Sequence, residues 1–345
     1  MLRKLLLLFT KVLDMKQADF LRKIEDLIPA NKTLVGELCD ILDISQDSSY
    51  RRIRGETQLT INDISKLCKH YKISFDVFDD MDIDNVTFSF LNLENSFESF
   101  ELYLKTMIKD LHLIKNAPNR KITYACEDIP IFYNYKYPNL GSFKIFYWME
   151  AILNKSETST NVLSEDYIPE DLLKYGKEIF EAYLETPSIE IWTETTYISV
   201  LKQIELFWES GKFVNDDLVL KVLDELQLLL NDIQLQAELG KKLMFSTNEF
   251  GQKADYELYI SEIEIGNNCV LVDLGSTKSV YLGHMSFNTI STMNKKYSLL
   301  TEEWLNNIIR KSNPVSKVSE KYRVKFFRNA QKKVDELRTM ILGES

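Results

Sequence analysis

At 345 residues and 45% hydrophobic content, the chain is longer than one ordinary domain and apolar enough to bury more than one core. A formal charge of -10 at pH 7 excludes a protein that coats nucleic acid indiscriminately, so any contact with DNA has to be local. Cys39, Cys68, Cys126 and Cys269 show no two-residue gap, and His70, His112 and His284 no i, i+4 pair, which argues against an ordinary metal or redox site and fits free thiols in a reducing cytoplasm.

Charge is uneven along the chain. Residues 16–72 carry ten Lys and Arg against nine Asp and Glu, residues 310–345 carry ten against four, and the middle is strongly acidic. An acidic body with a near-neutral head and a basic tail fits a protein that offers DNA a single face. At the start, Leu5 to Phe9 follow Arg3 and Lys4, but this apolar run is too short for a signal peptide and no small-residue cleavage site follows. Met15 stands directly before the first helical pattern, so residues 1–15 are set apart as an over-extended N-terminus. No later segment has the uninterrupted apolar length that crosses a bilayer, and the expected location is the cytoplasm with no membrane partner.

Residues 16–80 read as a small all-α domain. Phe20, Leu21, Ile24, Leu27 and Ile28 recur at helical spacing until Pro29 and Asn31. Thr33 caps a second helix with Leu34, Val35, Leu38, Ile41 and Leu42 on its apolar side, and Gly36 and Cys39 leave room for a neighbour. Asp43, Ile44 and Ser45 make a three-residue turn. Ser45 then caps a third helix, Gln46 to Arg54, closed by Gly55. With Tyr50 and Ile53 as its only large apolar anchors and with Arg51, Arg52 and Arg54, this helix has a face able to donate to phosphates and base edges. Thr60 and Asp63 form a capping box for a fourth helix, whose buried stripe is Ile61, Ile64, Leu67, Cys68 and Tyr71. Ser74 to Phe78 reads as a short fifth helix. A tight turn between the second and third of five short helices is the helix-turn-helix arrangement.

Ser48-Ser49-Tyr50-Arg51-Arg52-Ile53-Arg54-Gly55-Glu56, followed by Ile64-Ser65-Lys66-Leu67-Cys68, resembles the Cro/repressor-type (XRE-like) regulators of Bacteroidetes-like bacteria, close to the BetR-type N-terminal domain. The resemblance implies that Gln46, Asp47, Ser48, Arg51 and Arg52 face the major groove, with Arg54 and Lys32 on phosphate. Ser45 joins this set at the head of the helix. Tyr-Arg-Arg-Ile before the glycine departs from the commoner repressor pattern, and the base contacts stay open.

Residues 81–345 read as a larger, helix-rich α/β domain behind an acidic link at Asp79 to Asp84. A short strand at Val86 to Leu91 precedes an amphipathic helix through Phe100, Leu104, Met107, Leu111 and Ile114. Lys121 to Cys126 reads as a strand. Ile131 to Leu153 is dense in aromatics, including Phe132, Tyr133, Tyr135, Tyr137, Phe143, Phe146, Tyr147 and Trp148, which fits a large core before it fits a ligand pocket or subunit interface. Helices follow at Pro169 to Leu184, Tyr197 to Ser210 and Asn215 to Leu239, with a strand at Ile189 to Trp192. Tyr256 to Ile265, Cys269 to Leu274 and Lys278 to Leu282 read as three strands, the first two joined by a hairpin turn at Gly266-Asn267-Asn268. Helices at Thr301 to Lys311 and Ser319 to Leu342 complete the chain, the last of them basic. Residues 128–153 and 263–312 also resemble the C-terminal half of the same regulators, which supplies no ligand or reaction.

Asp273-Leu274-Gly275-Ser276-Thr277 resembles the phosphate loop of actin-like and sugar-kinase domains, but only about seventy residues follow, too few for a nucleotide pocket, and a strand-to-strand turn reads better. No other catalytic pattern is present, so neither an enzyme nor a cofactor is expected. The sequence therefore predicts a multi-domain transcription regulator, a small all-α helix-turn-helix domain followed by a larger α/β regulatory domain. Its expected partners are double-stranded DNA, a second copy of the chain, and an unknown small-molecule or protein effector. The alternative is an interaction protein that docks a partner through its helical head and the basic C-terminal helix, Lys317 to Arg338.

Overall fold

The computed structural model describes residues 17–29, 32–71, 86–153, 161–245, 250–275 and 277–344. The protein is mixed α/β and divides into two compact units, the first comprising the described residues up to Ser89 with Ser291–Ser298, the second Phe90–Ile290 and Leu299 onward. The expected fifth helix at 74–78 and the acidic link at 79–84 lie outside the described residues.

The described residues up to Ser89 form α1 (residues 17–26), α2 (Leu34–Leu42), α3 (Gln46–Ile53) and α4 (Ile61–Tyr71). Their small core is Phe20, Leu21 and Ile24 from α1, Leu34, Leu38 and Leu42 from α2, and Leu67 from α4, with Ile53 of α3 packed against it. The caps are those the sequence expects. Thr33 Oγ1 accepts from Gly36 N at 3.2 Å, Ser45 Oγ from Ser48 N at 3.3 Å, and Thr60 and Asp63 exchange bonds of 3.0 and 3.1 Å between side chain and backbone. Two expected apolar positions differ. Ile61 is 86% exposed, because it opens α4 at the rim of the core, and Tyr50 is 50% exposed on the outer side of α3. Gly36 sits close to its own cap at Thr33 rather than to a neighbouring helix.

Among the described residues there is one nine-stranded sheet, all of it in the second unit except Ser89 of β1 and Ser291 and Thr292 of β8. In chain order its strands are β1 (Ser89–Phe90), β2 (Lys121–Ala125), β3 (Ser188–Trp192), β4 (Lys241–Phe245), β5 (Phe250–Ile260), β6 (Cys269–Asp273), β7 (Lys278–His284), β8 (Asn288–Thr292) and β9 (Asn313–Pro314). They lie in the order β1-β8-β7-β6-β2-β3-β5-β4, with β9 beside β5. β2, β3 and β5 are mutually parallel, so each step between them needs a long crossover. Helices α6 (Pro138–Tyr147) and α7 (Glu170–Leu184) supply the first, and α8 (Thr196–Glu209) and α9 (Asp216–Leu239) the second. All five residues of β3 are buried, as expected of a strand in a parallel, two-faced setting.

This topology corrects the hairpin expected at Gly266-Asn267-Asn268. β5 does not pair with β6; β3 and β2 lie between them, and β6 pairs antiparallel with β2 and β7. The chain leaves β5 and is held at the end of β2, where Asn268 Oδ1 accepts from Glu127 N at 2.9 Å. The three polar residues that imitate a two-strand turn serve a crossover instead. The short turn from β6 to β7 is as expected: Gly275 N donates to Asp273 Oδ1 at 2.8 Å, Gly275 takes φ +86°, and Lys278 pairs with both Asp273 and Glu302.

One sheet face carries Ile122, Tyr124, Trp192, Tyr256, Leu258 and Ile260 into the main core. The same core takes residues from α5 (Phe97–Asn116) through α9 and from the last helix, α11 (Glu320–Glu344). The aromatic run belongs here: Phe132, Tyr133, Tyr135, Phe143, Phe146 and Trp148 are all buried in it, and Phe132 stacks on Tyr183 at 4.3 Å. On the other face, Thr123, Ile189 and Leu271 line a cavity of about 140 Å³ with Leu305 and Asn306 of α10 (Lys295–Arg310).

A polar cluster sits inside the main core. Glu190 of β3 is fully buried and accepts four bonds, from Tyr183 (2.7 Å) and Tyr133 (2.9 Å) on one oxygen and from Trp192 Nε1 and Tyr256 (both 3.0 Å) on the other. Lys242 is buried as well, donates to Tyr183 O and Thr186 O at 2.8 Å, and lies 3.2 Å from the Tyr183 ring centroid. Its charge thus meets the open carbonyls at the C-terminal end of α7. Burial pushes the Glu190 carboxyl up, opposed by the Lys242 charge and the tyrosine hydroxyls, and pushes the Lys242 ammonium down.

Candidate nucleic-acid interface

α3 is positioned by its two ends and its inner side. A three-residue connection brings it back across α2, with Asp43 in the left-handed conformation (φ 58°) that Asp tolerates better than most residues. Ser49, the buried residue of the inner side, donates from Oγ to Val35 O at 3.3 Å, so a small side chain lets the two helices approach. Gly55 (φ 76°) ends the helix, and Glu56 N returns to Arg51 O at 2.8 Å.

The outer side is where the candidate residues separate. Gln46, Asp47, Tyr50, Arg51 and Arg54 are all exposed. At 3.6 residues per turn they fall within an arc of about 140°. Two arginines, an amide, a carboxylate and a phenol therefore share one solvent face. Arg54 pairs with both oxygens of Glu56, through Nε at 3.0 Å and Nη2 at 3.3 Å, and Arg51 Nε lies 3.9 Å from the same carboxylate, so both side chains are exposed but only Arg51 is loosely engaged. Ser45 is exposed at the cap.

Ser48 and Arg52 are placed differently. The Arg52 side chain is only 12% exposed; its guanidinium donates to Ser48 Oγ at 2.8 Å and pairs with Asp63 of α4 at 3.4 Å. It ties α3 to α4, where the resemblance implies a groove contact. Lys32, implied on phosphate, pairs at 2.6 Å with Glu37. Gln17 of α1 was not singled out by sequence, yet it holds the loop behind α3 through Arg52 O (2.8 Å), Thr57 O (2.9 Å) and Leu59 N (2.8 Å).

Glu37 is buried among the described residues of this unit. It accepts from Lys32 and, at 2.8 Å, from the Tyr71 hydroxyl, and His70 Nε2 is 3.8 Å away. The Lys32 bond holds its carboxyl below the usual range against the effect of burial, while burial and Glu37 push the Tyr71 hydroxyl up. A carboxyl with a lowered folded value adds stability that is present above its unfolded value of about 4.3 and is lost as pH falls through the folded value. The protection of the α2 amides against hydrogen exchange, relative to the intrinsic rate at the same pH, should therefore fall below about pH 4.3 in the wild type. Glu37→Gln should exchange faster at neutral pH and show a flatter acid response; an unchanged acid response would show that Glu37 contributes nothing.

Among the described residues, no group of three or more His, Cys, Asp and Glu is placed to hold a metal, and no helix is long and apolar enough to cross a membrane. Comparison of the chain with protein-family models, with curated proteins and with solved structures finds no match.

Proposed function

We propose that the protein is a sequence-specific DNA-binding transcription regulator of the helix-turn-helix type, with α2 and α3 as the paired helices and α3 as the reader of the major groove. The observation that carries this reading is the single outer face of Gln46, Asp47, Tyr50, Arg51 and Arg54 on a short capped helix whose inner side is fixed by Ser49 and Arg52. The chemistry suits base edges: an arginine fork matches guanine O6 and N7, glutamine matches adenine N6 and N7, and aspartate accepts from cytosine N4. Arg54, at the end of the helix, and Ser45, at its cap, suit phosphate.

In this reading the second unit serves dimerisation and effector sensing in the cytoplasm, and carries no catalysis. A dimer presents two α3 helices to major grooves about 34 Å apart, one turn of the duplex. Selection of bound sequences from a random duplex pool with the full chain should enrich two half-sites spaced by about 10 base pairs. Recovery of no preferred sequence, with retention of a protein partner through the same face, would replace DNA recognition by protein docking.

A further inference from the structure

α11 is basic in a chain that is otherwise acidic, and its cations do different jobs. Arg323 is buried and donates to Val315 O (2.9 Å) and Val318 O (3.1 Å). Arg338 reaches across to Asp224 and Gln227 of α9. Lys333 pairs with Glu336 at 2.7 Å, and Lys332 lies 3.8 Å from the same carboxylate. Lys321, Lys325 and Arg328 are exposed, and their charged ends have no partner among the described residues.

These three, with Lys332, recur at gaps of four, three and four, so they form one row on the helix face turned away from the core residues Phe326, Phe327, Ala330 and Val334. Residues 321–334 contain six Lys and Arg and no Asp or Glu, in a chain with 52 acidic residues. The row is about 16 Å long at 1.5 Å per residue. A DNA duplex presents one negative charge per about 1.7 Å of axis over that length.

We propose that this row is a second, sequence-independent contact for the phosphate backbone of duplex DNA, separate from α3. The proposal extends the DNA-binding reading and rests on it for the choice of polyanion. What favours a phosphate backbone over an acidic protein is the composition of the face. Protein interfaces are anchored by buried aromatic or apolar side chains, and the exposed residues between Lys321 and Lys333 are Lys, Arg and Asn only. Phosphate contact needs no such anchor. Three unpaired cations also give the acidic second unit a local surface that DNA does not repel.

The test is the slope of log affinity against log salt for the full chain on a mixed-sequence duplex, read by fluorescence anisotropy. The slope of Lys321→Gln/Lys325→Gln/Arg328→Gln should be shallower than that of wild type by about 2.7, three contacts at about 0.9 each. The same change should appear on the Arg51→Ala/Arg54→Ala background. If only the α3 variant alters the slope, the α11 contact is wrong and the recognition helix stands. If only the α11 variant alters it, the contact stands and the α3 reading falls. Loss of poly-glutamate binding in the α11 variant with an unchanged DNA slope would overturn the proposal in favour of an acidic protein. Absence of any duplex binding by the wild type would overturn it as well.

Discussion

Glu190→Ala is expected to destabilise the second unit by several kcal/mol, about 1–3 kcal/mol for each buried donor left without its acceptor. The substitution leaves the buried hydroxyls of Tyr133 and Tyr256 and the indole N–H of Trp192 without an acceptor, and leaves the Tyr183 hydroxyl only its 3.3 Å bond to Ser188 Oγ. That loss is a large part of the total stability of an ordinary domain, roughly 5–15 kcal/mol. Glu190→Gln should cost less. Its amide oxygen can serve Trp192 and Tyr256, while Tyr133 and Tyr183 turn their hydroxyls to accept from the amide nitrogen. All four tryptophans, 148, 192, 208 and 304, lie in the second unit, so tryptophan fluorescence in urea follows this unit alone. Equal midpoints for the wild type and the alanine variant would show that the network contributes no stability.

The second large effect separates Arg51 and Arg54 from Arg52. Arg51→Ala/Arg54→Ala should weaken specific DNA binding by about 1–3 kcal/mol for the base contact alone, a factor of roughly 5 to 150. The fold should change by no more than about 0.5 kcal/mol, since both side chains are exposed. Arg52→Ala should behave in the opposite order. It removes the bonds to Ser48 and Asp63 and should lower the stability of the first unit by about 1–3 kcal/mol, with DNA binding lost only as the fold is lost. If Arg52→Ala left stability untouched and abolished binding, Arg52 would be a base contact and the geometry of α3 would have to change on DNA.

Helical periodicity and capping chemistry made α2, α3 and the Thr60–Asp63 box legible in the sequence, because both signals are local. The side of α3 that faces solvent was not legible in the same way. Size marks Tyr50 as an anchor, whereas the buried position next to it is Ser49, chosen by the closeness of α2. Arg52 reads like its neighbours in the sequence because charge says nothing about which arginine meets Asp63 eleven residues on. Glu37 left a readable trace, an acid between Leu34 and Leu38 on the apolar side of α2, but its partner Tyr71 is thirty-four residues away. In the second unit, Gly266-Asn267-Asn268 has the composition of a hairpin turn, and only the non-local pairing of β5 with β3 reveals a crossover. Non-local pairing likewise gathers Glu190, Lys242 and three tyrosines from separate elements, a cluster with no sequence spacing to announce it.

The most direct measurement is anisotropy of the wild type and of Arg51→Ala/Arg54→Ala on a duplex recovered by selection, titrated at several salt concentrations beside a scrambled duplex. A recognition helix gives the wild type an affinity for the selected duplex that falls steeply with salt and a preference over the scrambled duplex that drops by a factor of roughly 5 to 150 in the variant, while both proteins unfold at the same urea midpoint. Equal affinity of the two proteins for both duplexes would contradict DNA recognition by α3.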